Sequence, residues 1–106
     1  MAAGLGVLRL RAGANMSRVR IHTRQDCRFS EAALLFLEEK GIPYDEIDIT
    51  GDPELEAEMI EAAGRRETPQ IFIDGEHIGG FDDLVEEDRQ GRLAARLASG
   101  LEAPAP

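Results

Sequence analysis

The first segment with a readable period begins at Arg18. From Arg18 to Thr23 the chain alternates, with Val19 and Ile21 on one side, the spacing of a short strand. From Ser30 to Lys40 the apolar residues Ala33, Leu34 and Leu37 recur at helical spacing, and Gly41 with Pro43 beyond it stops the helix. Tyr44 to Ile49 alternates again, which predicts a strand with Ile47 and Ile49 inward and Glu46 and Asp48 outward, as on an exposed sheet edge. Asp52-Pro53-Glu54 opens a second helix: an N-cap, a proline at the first helical position, then acids facing the positive helix end. That helix is expected to reach about Ala63 and to end at Gly64. Gln70 to Ile73 and His77 to Ile78 flank Asp74-Gly75, a two-residue hairpin turn. Asp82 starts a last, acidic helix expected to run to Ala98.

The order is β-α-β-α-β-β-α, which predicts an α/β domain with a mixed four-stranded sheet flanked by three helices. The first two strands, joined through a helix, should be parallel with a right-handed crossover, and the last two should form an antiparallel hairpin. A length of 106 residues fits one domain. Its expected limits are residues 18–98, with 1–17 as an N-terminal extension and 99–106 as a frayed tail.

Charge narrows the function classes. Twelve Lys and Arg against 21 Asp and Glu leave a net −9, which argues against general nucleic-acid and anionic-membrane binders, both of which need a basic face. The longest apolar run, Ala32 to Leu37, is far short of the ~18 residues needed to span a bilayer. The distribution is uneven: Arg9, Arg11, Arg18, Arg20 and Arg24 lie in residues 1–25 with no acid among them, so all 21 acids fall later. A targeting segment, a flexible native arm and a misassigned start with Met16 beginning the protein all stay open for that basic stretch. A single cysteine excludes an intramolecular disulfide and makes a reducing compartment, the cytoplasm, the default.

Cys27 carries the chemistry. A lone cysteine is often just a small buried hydrophobe. This one directly precedes the first predicted helix, where unpaired N–H groups and a positive partial charge favour thiolate over thiol. Arg24 and Arg28 add cationic charge, and Asp26 opposes it. Further on, Thr68 precedes Pro69 and must be extended, Gly79-Gly80 allows a ligand close to the backbone, and Phe81-Asp82-Asp83 opens a helix with free N–H groups and acids. His22 and His77 lie on strands without acids or thiols at metal-ligand spacing and read as structural, and the acids from Glu54 to Glu61 read as a solvated helix face.

Thr23-Arg-Gln-Asp-Cys27-Arg-Phe-Ser30 and Gly64-Arg-Arg-Glu-Thr-Pro-Gln-Ile-Phe-Ile-Asp-Gly-Glu-His-Ile-Gly-Gly-Phe-Asp-Asp-Leu84 together resemble the glutaredoxin family over roughly residues 18–98. The resemblance implies a thioredoxin-like fold, a cis peptide before Pro69, and glutathione as cosubstrate. It makes Cys27 the nucleophile. Arg24, and Arg65 or Arg66, would meet the glycine carboxylate of glutathione, and Thr68 beside Pro69 would offer its backbone to the cysteinyl part. Gly80, Phe81 and Asp82 backbone groups, with an Asp82 or Asp83 carboxylate, would hold the γ-glutamyl end, and Phe29 matches the aromatic of the motif. Arg24, Arg28, Arg65 and Arg66 are accordingly expected to gather around the thiol as a local basic pocket.

The departures from the family pattern open three readings. Ser30 replaces the second cysteine of the dithiol motif Cys-Pro-Tyr-Cys, so the first reading is a monothiol glutathione-dependent thiol–disulfide oxidoreductase, expected to be a monomer, acting on glutathionylated proteins or low-molecular-weight disulfides. Phe29-Ser30 also resembles the monothiol subfamily with Cys-Gly-Phe-Ser, whose members share a [2Fe–2S] cluster between two subunits with Cys27's equivalent as ligand; here Arg28 replaces the Gly and the chain has no Trp. Glu67 sets an anion beside the expected anion site, so a non-catalytic glutathione-binding module is the third.

Overall fold

The computed structural model describes residues 8–10 and 17–102, with side chains described from 17 to 98. Its elements are β1 (Leu8–Leu10), β2 (Val19–Thr23), α1 (Arg28–Glu39), β3 (Asp45–Asp48), α2 (Pro53–Ala63), β4 (Gln70–Ile73), β5 (Glu76–Gly79), α3 (Phe81–Arg89) and α4 (Arg92–Glu102). The sheet order is β1-β3-β2-β4-β5. β2 and β3 are parallel, with Ile21 opposite Glu46, while β4 runs antiparallel to β2, with Ile21 opposite Ile71. The expected thioredoxin-like four strands are all present in a mixed sheet.

Two features extend the expected plan. β1 adds a fifth strand, pairing antiparallel with β3 from within the segment read as an extension; the rest of residues 1–16 lies outside the described residues. The last helix is two: Gln90 ends α3, Gly91 takes a left-handed φ of 78°, and α4 starts anew at Arg92.

Local signals explain the other boundaries. Asp52 caps α2 by accepting the Leu55 N–H at 3.1 Å, with Pro53 first in the helix, and Gly64 closes it at φ 76°. Asp74 and Gly75, at φ 52° and 83°, form the hairpin turn between β4 and β5. Arg18 grips that turn with both arms of its guanidinium, 2.9 and 2.7 Å from the Asp74 carboxylate, and donates to the Leu97 and Arg96 carbonyls. The start of β2 is thereby tied to the last helix.

The core packs Val19, Ile21, Ile71 and Ile73 of the sheet against Ala33 and Leu37 of α1, Leu84 of α3 and Leu93 of α4, with Tyr44 at the entry to β3. Each fully buried Leu or Ile contributes about 1.5–3 kcal/mol.

The polarity expected for β3 is overturned. Glu46 and Asp48 are 5% and 7% exposed, and Ile47 is the half-buried residue. The reason is twofold. β1 takes the edge position, and alternation places Glu46 and Asp48 on the same side of the strand as the core residue Tyr44. Their carboxylates are met by polar groups: the Thr23 hydroxyl donates to Glu46 at 2.8 Å, and the Thr50 amide and Gln25 side chain donate to Asp48 at 3.0 and 3.3 Å.

Candidate functional site

Cys27 is the N-cap residue of α1, with extended φ and ψ of −112° and 112°. Thr68, in the segment leading into β4, is its partner across the fold. The Thr68 hydroxyl donates to the Cys27 sulfur at 3.2 Å, and the sulfur lies 3.6 Å from the Thr68 carbonyl. The peptide between Thr68 and Pro69 is cis, as the resemblance implied.

Burial pushes the Cys27 thiol up, and hydrogen bonds outweigh it. The Ser30 and Thr68 hydroxyls and the Ser30 and Phe29 amides all favour the thiolate, leaving the thiol below its ordinary value. Ser30 is itself fixed, 1% exposed, with its oxygen accepting the Arg24 N–H at 3.3 Å. The residue that replaces the second cysteine is therefore a donor to the first. The sequence motifs present Ser30 as a missing second thiol and as part of the Phe-Ser pair of the monothiol subfamily, not as a donor to Cys27, although its place one helical turn beyond the N-cap is the available signal.

Next to the thiol lies a groove of roughly 400 Å³, lined by Phe29, Arg65, Glu67, Thr68, Pro69, Gln70, Gly80, Phe81, Asp82 and Asp83. Eight of the expected site residues are brought together there; Glu67 and Gln70 join them. The rings of Phe29 and Phe81 stand 6.5 Å apart, and Phe29 is 57% exposed. Asp83 accepts the Gly80 N–H at 2.9 Å and lies 3.6 Å from Arg65. Gly79, at φ 128°, leaves room for that carboxylate: a Cβ there would stand 2.6 Å from Asp83 Cγ. The Gly-Gly pair thus serves Asp83 as much as any ligand.

The expected basic pocket is not what forms. Only Arg65 of the four arginines lines the groove, with Glu67, Asp82 and Asp83 for company. Arg24 turns away to Glu56 of α2 at 3.2 Å and lines a separate hollow with Asp26, Glu31, Glu46 and Asp48. Arg28 and Arg66 are exposed outside the groove. For Arg24 the cause is partner choice: a long cationic side chain settles on a nearby carboxylate, here Glu56, in a chain where acids outnumber bases.

The two histidines flank Phe72, with ring centroids 5.5 Å from His22 and 5.1 Å from His77. Burial, then Arg20, pushes His22 down to about 4 against a bond to the Gln70 backbone. Burial, then Arg65, also lowers His77, against Asp83. Among the described residues no three His, Cys, Asp or Glu side chains converge as a metal site, and no helix is long and apolar enough to cross a membrane.

A parallel–antiparallel sheet with an activated thiol at a helix N-terminus, facing a cis-proline segment, defines a thiol redox domain of thioredoxin-like fold. The glutaredoxin family profile matches residues 19–78, more than half of the chain. Over 78 residues the chain is 42% identical to Glutaredoxin 3 of Escherichia coli, covering 74% of this chain and 94% of that one. It is 40% identical over 84 residues to a glutaredoxin of Pseudomonas aeruginosa, covering 79% and 100%. Among solved structures it is similar to a glutaredoxin from Brucella melitensis (TM-score 0.69, 42% identity, 83% and 96% covered) and to a buckwheat glutaredoxin–glutathione complex (TM-score 0.71, 26% identity, 78% of each). The chain belongs to the glutaredoxin family, and its function is a glutathione-related redox one.

Proposed function

We propose that this glutaredoxin is a monothiol, glutathione-dependent thiol–disulfide oxidoreductase that removes glutathione from protein–glutathione mixed disulfides and from low-molecular-weight disulfides. The observation that carries the reading is the Cys27 sulfur, with its thiolate favoured by Ser30 and Thr68, at the mouth of a groove sized for a small peptide.

The Cys27 thiolate attacks the glutathione sulfur of the mixed disulfide. The target sulfur leaves with the electron pair and takes a proton from solvent. Cys27 then carries glutathione as a mixed disulfide. A second glutathione thiolate attacks that glutathione sulfur, releasing oxidised glutathione and restoring the Cys27 thiolate. No second protein thiol is needed, which suits Ser30. In the groove, the Arg65 guanidinium takes the glycine carboxylate, suited by its bidentate fork. The extended Thr68-Pro69 backbone pairs with the cysteinyl part, Phe29 covers it, and the first turn of α3 from Gly80 through Phe81 to Asp82 meets the γ-glutamyl carboxylate. Asp82 takes the ammonium, since Asp83 is engaged by Gly80 and Arg65. Arg24 and Arg66 are assigned no contact. The protein acts as a monomer in a reducing compartment such as the cytoplasm.

Release of glutathione from a glutathionylated peptide, followed with Cys27→Ser alongside, tests the proposal. Turnover in wild type that Cys27→Ser abolishes is expected; turnover no faster than buffer, or an active Cys27→Ser, would sink it. Anaerobic reconstitution with iron, sulfide and glutathione tests cluster carriage, with a colourless monomer as the expected result and a coloured dimer as the contrary one.

A further inference from the structure

Gln70 is 1% exposed, yet its side chain reaches two groups outside its own strand. Its amide nitrogen donates to the Glu67 carbonyl at 2.9 Å, and its amide oxygen lies 2.7 Å from His77 Nε2 on β5. The directions of these bonds are forced. A backbone carbonyl only accepts, so the Gln70 NH₂ must face Glu67. Its oxygen therefore faces the imidazole, and His77 must carry a proton on Nε2 to donate to it. A proton there, with the ring stacked near Phe72, fixes which way the Gln70 amide points.

Glu67 is followed by Thr68, whose hydroxyl and carbonyl both face the Cys27 sulfur. The Glu67 and Thr68 positions lie in an irregular segment between α2 and β4, where no ladder hydrogen bond sets the peptide planes. We propose that His77 is a positioning residue for the nucleophile: by holding the Gln70 amide, it pins the Glu67 carbonyl and so orients Thr68 against Cys27. His77 is not itself among the residues lining the groove and reaches the site only through Gln70, one buried side chain that does line it. The proposal rests on the oxidoreductase reading for its kinetic consequence, but its primary readout does not.

That readout is the thiol pKa of Cys27, measured from the pH dependence of iodoacetamide alkylation, with turnover of a glutathionylated peptide beside it. His77→Phe keeps the ring on Phe72 and removes the donor. His77→Gln retains a donor near the Nε2 position. For His77→Phe the alkylation pKa should rise by about half a unit to one unit and turnover should fall roughly threefold to tenfold, the range of one lost hydrogen bond. His77→Gln should stay within about twofold of wild type. In a Gln70→Leu background, His77→Phe should add nothing, because its route is already cut. An unshifted pKa in His77→Phe, a His77→Gln as impaired as His77→Phe, or additive effects with Gln70→Leu would each overturn the proposal. If His77→Phe does not fold by circular dichroism, His77→Asn, whose shorter amide cannot reach Gln70, takes its place with the same expected shift. Wild type that alkylates with a low pKa but turns over no substrate refutes the oxidoreductase reading instead.

Discussion

Gly79→Ala probes how the groove is built. At φ 128° an alanine is strained by about 1–3 kcal/mol. Its Cβ would also lie 2.6 Å from Asp83 Cγ and 2.9 Å from Asp83 Cβ. The second contact is with the root of the side chain, so rotating the carboxylate away does not relieve it, and the first turn of α3 must shift. That shift breaks the bond from the Gly80 N–H to Asp83 at 2.9 Å, a charge-assisted bond worth about 1.5–3 kcal/mol. The exposed Arg65–Asp83 pair adds at most about 1 kcal/mol. Together the cost is about 2.5–7 kcal/mol, a large share of the 5–15 kcal/mol typical of a domain. Urea unfolding of wild type, Gly79→Ala, Asp83→Ala and the double variant measures it. In the Asp83→Ala background the bond is already lost while the Cβ contact at 2.9 Å remains, so the alanine should cost the strain and that contact but not the bond, less than it costs in wild type. A Gly79→Ala within about 0.5 kcal/mol of wild type, or one whose cost is unchanged by Asp83→Ala, refutes this account of the Gly-Gly pair.

Two further outcomes are expected. The His22 imidazole, about 4 in the fold against ~6.5 unfolded, makes the unfolded chain the stronger proton binder between those values, so its contribution is complete above pH ~6.5 and is lost as pH falls toward 4. The loss at pH 5 is about 2 kcal/mol, and urea midpoints from pH 4.5 to 7.5 should fall less steeply for His22→Phe than for wild type; parallel slopes would contradict the burial argument. Ser30→Ala removes a donor to the sulfur and should raise the alkylation pKa of Cys27 by about half a unit to one unit, and an unmoved value would remove Ser30 from the site.

Legibility followed the range over which each cause acts. Asp52-Pro53, Gly64 and Asp74-Gly75 act on their own backbone within a few residues, and each did what its chemistry dictates. The thiol at the start of α1 and its Thr-Pro partner were likewise readable, since both are local motifs. What was hidden depends on partners distant in the chain. The alternation of residues 44–49 reads the same whether a strand is an edge or the neighbour of β1, so the burial of Glu46 and Asp48 could not be seen. Arg24 lies three residues before Cys27 at a position the resemblance assigns to glutathione, but its guanidinium is placed by Glu56, which α2 brings up from 32 residues on. The Gln70–His77 bond crosses a bulge between β4 and β5, and no spacing rule announces it.

The turning of Arg24 decides between two origins of thiol activation. Four clustered guanidinium groups would act through space, and salt would weaken them: the Debye length falls from about 30 Å at 0.01 M to about 3 Å at 1 M. Hydrogen bonds from Ser30, Thr68 and Phe29 act by contact, with no room for ions between donor and sulfur. The alkylation pKa of Cys27 should therefore move by less than about 0.3 unit between 0.02 and 1 M sodium chloride, and Arg24→Ala should leave it equally unmoved. A rise of more than about half a unit in salt, or in Arg24→Ala, would return the activation to the arginines. The ordering also fits an acidic chain. With 21 acids available to capture 12 bases, a thiolate that relied on cations would compete with every carboxylate nearby, whereas backbone and hydroxyl donors have no such rival.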